Sequence, residues 1–343
     1  MKPILVIKFG TASLTKVNGE INEATILEIA RQAAQLHDQY RIVLVSSGAV
    51  GAGKAYLQNY RGELSQRKAA AAIGNPLLLG LYTKYFGAFG IPVAQSLCER
   101  SHFANRSQFL QLKQTYETLW ENGVIPVANE NDVVSDLELK FSDNDELATL
   151  LAAGLGADTL LFSTSVGGLL DHDGAIVPRV ERIDESILGL ADTSKTAVGL
   201  GGMVSKLSFA KRAVRMGIRV VIFGIHTPEG ILNALKEETG TVFTPEKVSL
   251  KARHKWLGTG SLIAGQLRID AGAVKALRDR RSLLAVGIQE VTGEFDRGEV
   301  IEIRDEAAQV IAVAKARESS RVVAENLKTQ NFEVAHADDI VLL

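Results

Sequence analysis

The segment Ile4-Leu-Val-Ile-Lys8-Phe-Gly10-Thr-Ala-Ser13 places an apolar run directly before a lysine and a glycine. Further short apolar runs follow, and segments with the helical spacing of apolar residues lie between them. These runs are Ile42 to Val45, Ile91 to Ala94, Val124 to Ala128, Thr159 to Phe162 and Val220 to Phe223. The alternation predicts an α/β fold with a mostly parallel central sheet covered by helices on both faces. Because ligands in such folds bind beyond the carboxyl ends of the strands, residues after each run are the candidates for a functional site.

The composition is that of an ordinary globular protein. The chain has 343 residues, of which 46% are hydrophobic and 23% are charged, and its length favours two domains. Its net charge of −2 gives no overall attraction to nucleic acid or to an anionic membrane. The apolar stretch Ile4 to Ile7 is too short for a signal peptide, so we expect a cytoplasmic protein without membrane association. Cys98 has no partner for a disulfide or a zinc site, and we expect it to be a core residue.

The pattern changes after about residue 250 to short apolar runs separated by turn residues. These runs are Gln266 to Ile269, Val286 to Val291, Glu299 to Ile303, Val310 to Ala314 and Ile340 to Leu342. They predict a small β-rich second domain with a helix or two. We expect a first domain over residues 1–250 and a second over residues 258–343. From Ala252 to Leu343 there are 13 Lys and Arg against 14 Asp and Glu, so this region has no basic excess.

Two glycine-containing segments follow the first two predicted strands. Lys8 and Gly10 would let a cation and backbone amides approach a phosphate, although an ordinary turn beside a solvated lysine has the same pattern. The second segment, Ser46-Ser-Gly-Ala-Val-Gly-Ala-Gly-Lys-Ala55, lacks the final hydroxyl with which a P-loop binds magnesium. We therefore interpret it as a loop whose Ser47 hydroxyl and amides hold a small anion such as a carboxylate, or as a tight strand-to-helix turn.

Polar residues cluster after later strands as well. Asn129-Glu-Asn-Asp132 follows the fourth run, and Ser142-Asp-Asn-Asp145 opens the helical run Leu147 to Leu155. Ser142 and Asp145 have the spacing of a capping box, but the two clusters together would also suit an ammonium group and a hydrogen-bonded carboxylate. Gly199-Leu-Gly-Gly-Met-Val-Ser-Lys206 precedes another helix. A lysine in a first turn opposes the helix dipole, so it indicates an anion site there, the alternative being a solvated side chain.

Two lysines from separate loops, two glycine-rich anion sites and nearby carboxylates together indicate phosphoryl transfer. These segments contain no histidine. That composition fits a carboxylate acceptor, because an acid with a pKa of about 4.3 is ionised at neutral pH and needs no general base.

In this order the motifs resemble those of the amino acid kinase family. The resemblance rests on Lys8-Phe-Gly-Thr, Ser46-Ser-Gly-Ala, Pro126-Val-Ala-Asn-Glu-Asn-Asp132, Asp143-Asn-Asp145 and Gly201-Gly-Met-Val-Ser-Lys206. The Asn-Glu-Asn-Asp run resembles in particular the members that phosphorylate the γ-carboxylate of L-glutamate at the start of proline biosynthesis. The segments Gly265 to Ala273 and Val291 to Val300 look like the PUA domain that many of those members carry. An acetylglutamate or aspartate kinase, or a catalytically silent amino acid sensor, remains the alternative.

The resemblance also implies roles for individual residues. Lys8 would hold the ATP phosphates, Lys206 would stabilise the transferring phosphoryl group, and Asp145 would hold both lysines. The implied glutamate site consists of Ser47, Gly48, Ala49, Asp132 and Asn144. The implied ATP site consists of Lys8, Gly10, Thr164, Ser165, Leu200, Gly201, Gly202, Met203, Val204, Ser205 and Lys206.

Three residues depart from the family pattern, and all three bear on nucleotide binding: Ser165, Leu200 and Ser142 stand where aspartate, threonine and glycine are frequent. The resemblance further implies Mg²⁺ that arrives with ATP, proline as a feedback inhibitor, a homo-oligomer and a glutamyl phosphate reductase as partner. PUA domains elsewhere bind RNA. The charge balance of this one argues against nucleic acid and favours a structural or regulatory role.

Overall fold

A computed structural model describes residues 2–16, 20–99, 102–103, 106–133, 144–192, 202–246, 263–293, 295, 297–298 and 300–342. The chain divides into two compact units, residues 1–99 with 112–249 and residues 100–111 with 250–343. The domain bounds taken from the sequence, 1–250 and 258–343, stay a prediction. Within the described ranges, no helix has both the length and the apolar character needed to cross a bilayer.

An eight-stranded sheet forms the centre of the first unit. Its strands are β1 (Ile4–Phe9), β2 (Arg41–Ser46), β3 (Val93–Cys98), β4 (Ile125–Glu130), β5 (Thr159–Thr164), β6 (Arg179–Val180), β7 (Arg219–Gly224) and β8 (Thr241–Phe243). They lie in the order β3-β4-β2-β1-β5-β7-β8-β6. The pairing of β7 with β8 is antiparallel, whereas the other described neighbours run parallel. The expected mostly parallel sheet is therefore confirmed.

Helices connect these strands. They are α1 (Thr11–Leu14), α2 (Glu23–Leu36), α3 (Ala49–Gly53), α4 (Leu64–Gly87), α5 (Arg106–Glu121), α6 (Asn144–Leu155), α7 (Glu185–Asp192), α8 (Met203–Arg215) and α9 (Gly230–Leu235). A short 3-10 turn, Lys54–Tyr56, follows α3. Helix α6 is buried from its second residue to its last, so it lies inside the unit.

Side-chain alternation along β1 determines where Lys8 lies. Leu5, Ile7 and Phe9 join a core shared with α2 and α4. Because successive strand residues point to opposite faces, Val6 and Lys8 face the other side of the sheet, where α6 contacts β1. Lys8 therefore reaches the carboxyl edge of a central strand on the side covered by α6.

Each apolar run of the first unit overlaps a strand, but the end of β4 differs from the prediction. Strand β4 continues through Asn129 and Glu130, which the sequence places after the strand, because its parallel pairing with β3 extends to Cys98 and Glu130. Both polar side chains are buried. Helix α6 begins at Asn144, inside the segment Ser142 to Asp145 that the sequence places at the start of this helical run, and Asp145 and Glu146 of its first turn are buried. The short strands β6 and β8 have no counterpart in the predicted runs.

The part of the second unit from residue 263 onward is β-rich, as expected, and contains two short helices among its described residues. Its strands are β9 (Ile263–Ile269), β10 (Leu283–Leu284), β11 (Ile288–Thr292), β12 (Val300–Arg304), β13 (Val310–Lys315), β14 (Glu333–Ala335) and β15 (Ile340–Leu342), and its helices are α10 (Ala271–Arg278) and α11 (Ser320–Glu325). A five-stranded sheet has the order β11-β9-β12-β13-β15, and β10 pairs with β14. The predicted run Val286 to Val291 begins in a 3-10 turn, Ala285–Gly287, rather than in a strand.

Candidate active site

Two lysines from distant parts of the chain share one buried carboxylate. Lys8 Nζ lies 2.5 Å from Asp145 Oδ1, and Lys206 Nζ lies 2.8 Å from Asp145 Oδ2. The Asp145 side chain is completely buried, and both lysines are more than nine-tenths buried. The cluster thus carries two positive charges and one negative charge at the carboxyl edge of the sheet.

The charge state of Asp145 follows from two opposing effects. Burial alone raises the pKa of this carboxyl, but the charges of Lys8 and Lys206 and their hydrogen bonds outweigh that effect, so its pKa lies below the ordinary value. Asp145 is therefore ionised at neutral pH. Lys8, Asp145 and Lys206 together then carry one net positive charge.

Lys206 lies in the first turn of α8, where the helix dipole disfavours a cation. Gly202 precedes the helix in an extended conformation, and the Lys206 backbone amide donates to its carbonyl oxygen at 3.3 Å. The ion pair with Asp145 offsets the unfavourable position of the lysine. The positive end of α8 and a cationic side chain thus belong to the same helix turn, a combination that favours binding of a phosphate.

A second cluster adjoins the lysines through the neighbouring residue of α6. Asn144 Nδ2 donates to the Ser47 hydroxyl at 2.9 Å, to the Ser46 carbonyl at 3.2 Å and to Asn129 Oδ1 at 3.0 Å. Its carbonyl oxygen, Oδ1, is buried and accepts no hydrogen bond from the part of the chain that the structure describes. Since an unsatisfied buried acceptor is costly, this oxygen is a candidate partner for a donor on a ligand, such as an ammonium group.

The glycines after β2 serve conformation and packing. Gly48 has φ of +106°, a left-handed backbone that turns the chain from β2 into α3. Gly53 lies against α4, where an added Cβ would come within 1.9 Å of the Ala70 carbonyl oxygen. Helix α3 has only five residues, and the exposed Lys54 follows it. The segment is therefore a strand-to-helix turn held against α4, and not a P-loop.

Hydrogen bonds also hold the turn after β1. The Gly10 amide donates to Ser163 Oγ at 3.4 Å, and the Ser163 hydroxyl donates to Ser13 Oγ at 2.8 Å. Ser163 belongs to β5, which pairs with β1, so the two strands fix the loop between Lys8 and α1. Thr164 ends β5, and Ser165 follows it as an exposed residue.

The structure brings together five of the residues expected from the sequence: Lys8, Asp145, Lys206, Asn144 and Ser47. Gly202, Met203, Val204 and Ser205 open the helix that carries Lys206, and Asp132 lies in the turn after β4. Leu200, Gly201, Ser142 and Asp143 lie outside the described residues. Among the described residues, no group of three or more His, Cys, Asp or Glu side chains is placed to hold a metal ion.

Three buried polar residues beside the site were absent from the set chosen from the sequence: Asn75, Asn129 and Ser163. Asn129 begins the polar run Asn129-Glu-Asn-Asp132, and its position three residues before Asp132 could have indicated it. Ser163 precedes Thr164 and reads as an ordinary strand residue. Asn75 lies inside the long helix α4 before Pro76, and nothing in its local pattern distinguishes it from a surface asparagine.

The sheet is mostly parallel, and its carboxyl edge carries two lysines around a buried aspartate. These are features of a phosphotransferase, because such enzymes work chiefly by positioning reactants and neutralising charge. The sequence model of the amino acid kinase family matches residues 3–224, and that of the PUA domain matches residues 265–336. The chain therefore belongs to the amino acid kinase family and carries a C-terminal PUA domain.

Relatives match this chain over nearly its whole length. It is 38% identical over 327 residues to a glutamate 5-kinase of Klebsiella pneumoniae strain 342, covering 92% of this chain and 89% of the relative. It is 35% identical over 366 residues to a glutamate 5-kinase of Haemophilus influenzae strain PittEE, covering 100% and 99%. Among solved structures, a carbamate kinase from Giardia lamblia bound to AMP-PNP aligns with a TM-score of 0.53 at 18% identity, covering 71% of this chain and 99% of that one. The last likeness concerns the fold alone.

Proposed function

We propose that this chain transfers the γ-phosphoryl group of ATP to the γ-carboxylate of L-glutamate, giving L-glutamyl 5-phosphate and ADP. The observation that carries the proposal is the pair of buried lysines on Asp145, directly beside Asn144 and Ser47. It supplies a cationic site for the phosphates next to a polar site for the amino acid. The relatives named above are glutamate 5-kinases, which supports glutamate as the acceptor.

In the proposed reaction, an oxygen of the γ-carboxylate attacks the γ-phosphorus of ATP. The bond between that phosphorus and the bridging oxygen of the β-phosphate breaks, and the electron pair leaves with ADP. Lys8 holds the phosphates, and Lys206 stabilises the charge on the transferring group. Mg²⁺ bound to ATP would supply further neutralisation of charge on its phosphates. Asp145 keeps both ammonium groups in place without touching the substrates.

Glutamate would bind at the cluster formed by Asn144 and Ser47, next to the lysines on Asp145. The buried Oδ1 of Asn144 accepts a hydrogen bond from the α-ammonium group, and Asp132 provides the negative charge that a free amino group requires. The Ser47 hydroxyl and the amides of Gly48 and Ala49 bind a carboxylate. An acetylated substrate would lack the ammonium group, so this arrangement favours the free amino acid. The remaining ATP contacts come from Gly10, the Thr164–Ser165 loop and the Leu200–Ser205 segment.

Several properties of the protein follow from membership in this branch of the family and are part of the proposal. They are proline as a feedback inhibitor, a homo-oligomeric state, a glutamyl phosphate reductase that receives the product, and a cytoplasmic location. The PUA domain would then have a structural or regulatory role, since its 13 basic and 14 acidic residues offer nucleic acid no net attraction.

The proposal is tested by measuring ADP release with ATP, Mg²⁺ and L-glutamate in the presence of hydroxylamine, which converts an acyl phosphate to a hydroxamate. Aspartate and N-acetylglutamate serve as parallel acceptors. Hydroxamate from glutamate alone is the expected result. Product from another acid alone would change the assigned substrate, and no product from any acid with folded protein would refute the kinase activity.

A lysine variant tests the assigned chemistry. Lys206→Ala should lower kcat by at least about 100-fold, the usual scale for removing a charge that stabilises a transition state, while glutamate binding changes little. Lys211→Ala removes a lysine from the same helix α8, and kcat should stay within about twofold because it leaves the Asp145 cluster intact. Equal turnover in the two variants would refute the role given to Lys206.

A further inference from the structure

A chain of side-chain amides connects helix α4 to the proposed glutamate site. Asn129 Nδ2 donates to Asn75 Oδ1 at 3.0 Å, and Asn144 Nδ2 donates to Asn129 Oδ1 at 3.0 Å. Asn75 and Asn129 are each 5% exposed. The chain ends at the Ser47 hydroxyl, so a residue of α4 is linked through Asn129 and Asn144 to the loop after β2.

Backbone groups fix the direction of these hydrogen bonds. The Glu130 amide donates to Asn129 Oδ1 at 3.0 Å, which identifies that atom as the oxygen. Asn129 Nδ2 must then donate, and Asn75 Oδ1 is its acceptor. The Ser46 carbonyl accepts from Asn144 Nδ2, which leaves the Asn144 oxygen as the atom available to a ligand. Asn129 is thus one of three acceptors that hold the Asn144 amide, and Asn75 accepts from the other end of the Asn129 amide.

Helix α4 packs closely against α3, which fixes the position of Asn75 relative to the loop after β2. An added Cβ on Gly74 would lie 1.7 Å from the Ala49 carbonyl oxygen, so the helix and the turn after Gly48 approach as closely as their backbones allow. A second link joins the Ser46 and Tyr82 hydroxyls at 3.0 Å, in the buried interior. Asn75 thus lies on a rigid support at a fixed distance from the site.

We propose that Asn75 is a positioning residue for amino acid binding: by accepting from Asn129 it fixes the Asn129 amide, which together with the Ser46 and Ser47 oxygens holds Asn144 in the orientation that presents Oδ1 to the substrate ammonium group. This inference rests on the proposed function. Asn75 itself would not touch the substrate. The Asn75 amide nitrogen is buried and donates to no acceptor in the described ranges. Its side chain therefore acts through Oδ1, which accepts from Asn129.

The test compares Asn75→Leu, which removes the acceptor, with Asn75→Asp, which keeps an oxygen at the same place. Asn75→Leu leaves Asn129 Nδ2 unpaired, and the KM for glutamate should rise about tenfold, with the KM for ATP and kcat within about twofold of wild type. Asn75→Asp should restore the KM for glutamate to within about threefold of wild type. If Asn75→Leu does not fold, Asn75→Ala removes the same acceptor and is judged by the same criteria.

Two further variants separate positioning from general destabilisation. Leu78→Ala makes a cavity in the same helix but leaves the amide chain intact, so it should lower thermal stability without changing the KM for glutamate. In an Asn144→Ala background, Asn75→Leu should have no further effect on that KM, because Asn75 acts through Asn144. An unchanged KM in Asn75→Leu with active wild type, or equal rises in the Leu and Asp variants, would overturn the inference. Wild type that forms no glutamyl hydroxamate would instead refute the proposed function.

Discussion

Replacing Asp145 with asparagine keeps the shape of the side chain and removes its charge. Lys8 is 4% exposed and Lys206 is 6% exposed, so two ammonium groups would face each other across a neutral amide with little water to solvate them. Removing one partner of a buried ion pair costs about 3–5 kcal/mol. We therefore expect Asp145→Asn to lower the free energy of unfolding of the first unit by about 4 kcal/mol at neutral pH.

Urea denaturation with and without MgATP measures this effect. ATP brings negative charge to the two lysines, so it should stabilise Asp145→Asn more than it stabilises the wild type. The kcat of the variant should fall by at least about 100-fold, because neither lysine keeps its position. Asp158→Asn is the matched control, since Asp158 accepts from the Ile4 amide at 2.9 Å on the surface and asparagine can do the same.

The control should change stability by no more than about 0.5 kcal/mol. An unchanged urea midpoint in Asp145→Asn, together with wild-type activity, would show that the two lysines do not depend on the carboxylate. That result would refute the electrostatic argument for the whole cluster.

Other expectations follow from the same structure. Because the folded pKa of Asp145 is lowered, its stabilisation is fully present above the unfolded value of about 3.9 and is lost as the pH falls further, through the folded value. The urea midpoints of wild type and Asp145→Asn should therefore stay apart from pH 7 down to about pH 4 and converge only below about pH 3.9. Gly74→Ala should lower the free energy of unfolding by about 1–3 kcal/mol, because the added methyl group overpacks the contact of α4 with Ala49. Gly80→Ala should raise it by about 0.5–1 kcal/mol, because an added Cβ there meets nothing within 4 Å. A thermal melt that ranks the two variants the other way would contradict the close packing of α4. Burial raises the pKa of the Cys98 thiol to about 11. A thiol reagent at pH 7.5 should therefore label the native protein at least about 100-fold more slowly than the protein in urea. Equal rates would mean that the end of β3 is accessible to the reagent.

The parts of the site that sequence could predict are those where a charged residue breaks an apolar pattern. Lys8 ends a run of aliphatic residues, and Lys206 stands in a helix turn that disfavours cations, so each marks its own position. Their meeting at Asp145, some 60 residues from the nearer lysine, came only from the family resemblance, because periodicity gives no distance between remote segments.

Asn129 and Glu130 show why the boundary of β4 was misplaced. Adjacent polar residues after an apolar run usually mark a loop, since an unpaired polar group is costly inside a sheet. Here Asn129 has partners on α4 and α6, so the strand continues through it. Asn75 was missed for the complementary reason. Its importance comes from a partner 54 residues away, which no local pattern in a helix can reveal.

The ion pairs around Asp145 also affect how the protein survives its own reaction. The product of the proposed reaction is an acyl phosphate, which acylates free amines, and it forms beside two lysine side chains. Both ammonium groups are held by Asp145 and are more than nine-tenths buried, whereas the Lys54 side chain is exposed to an acyl phosphate released into solution. Mass spectrometry after many turnovers should therefore find Lys8 and Lys206 unacylated while exposed lysines such as Lys54 accumulate adducts. The carboxylate that holds the two lysines in position also keeps them from being consumed by the compound they help to make.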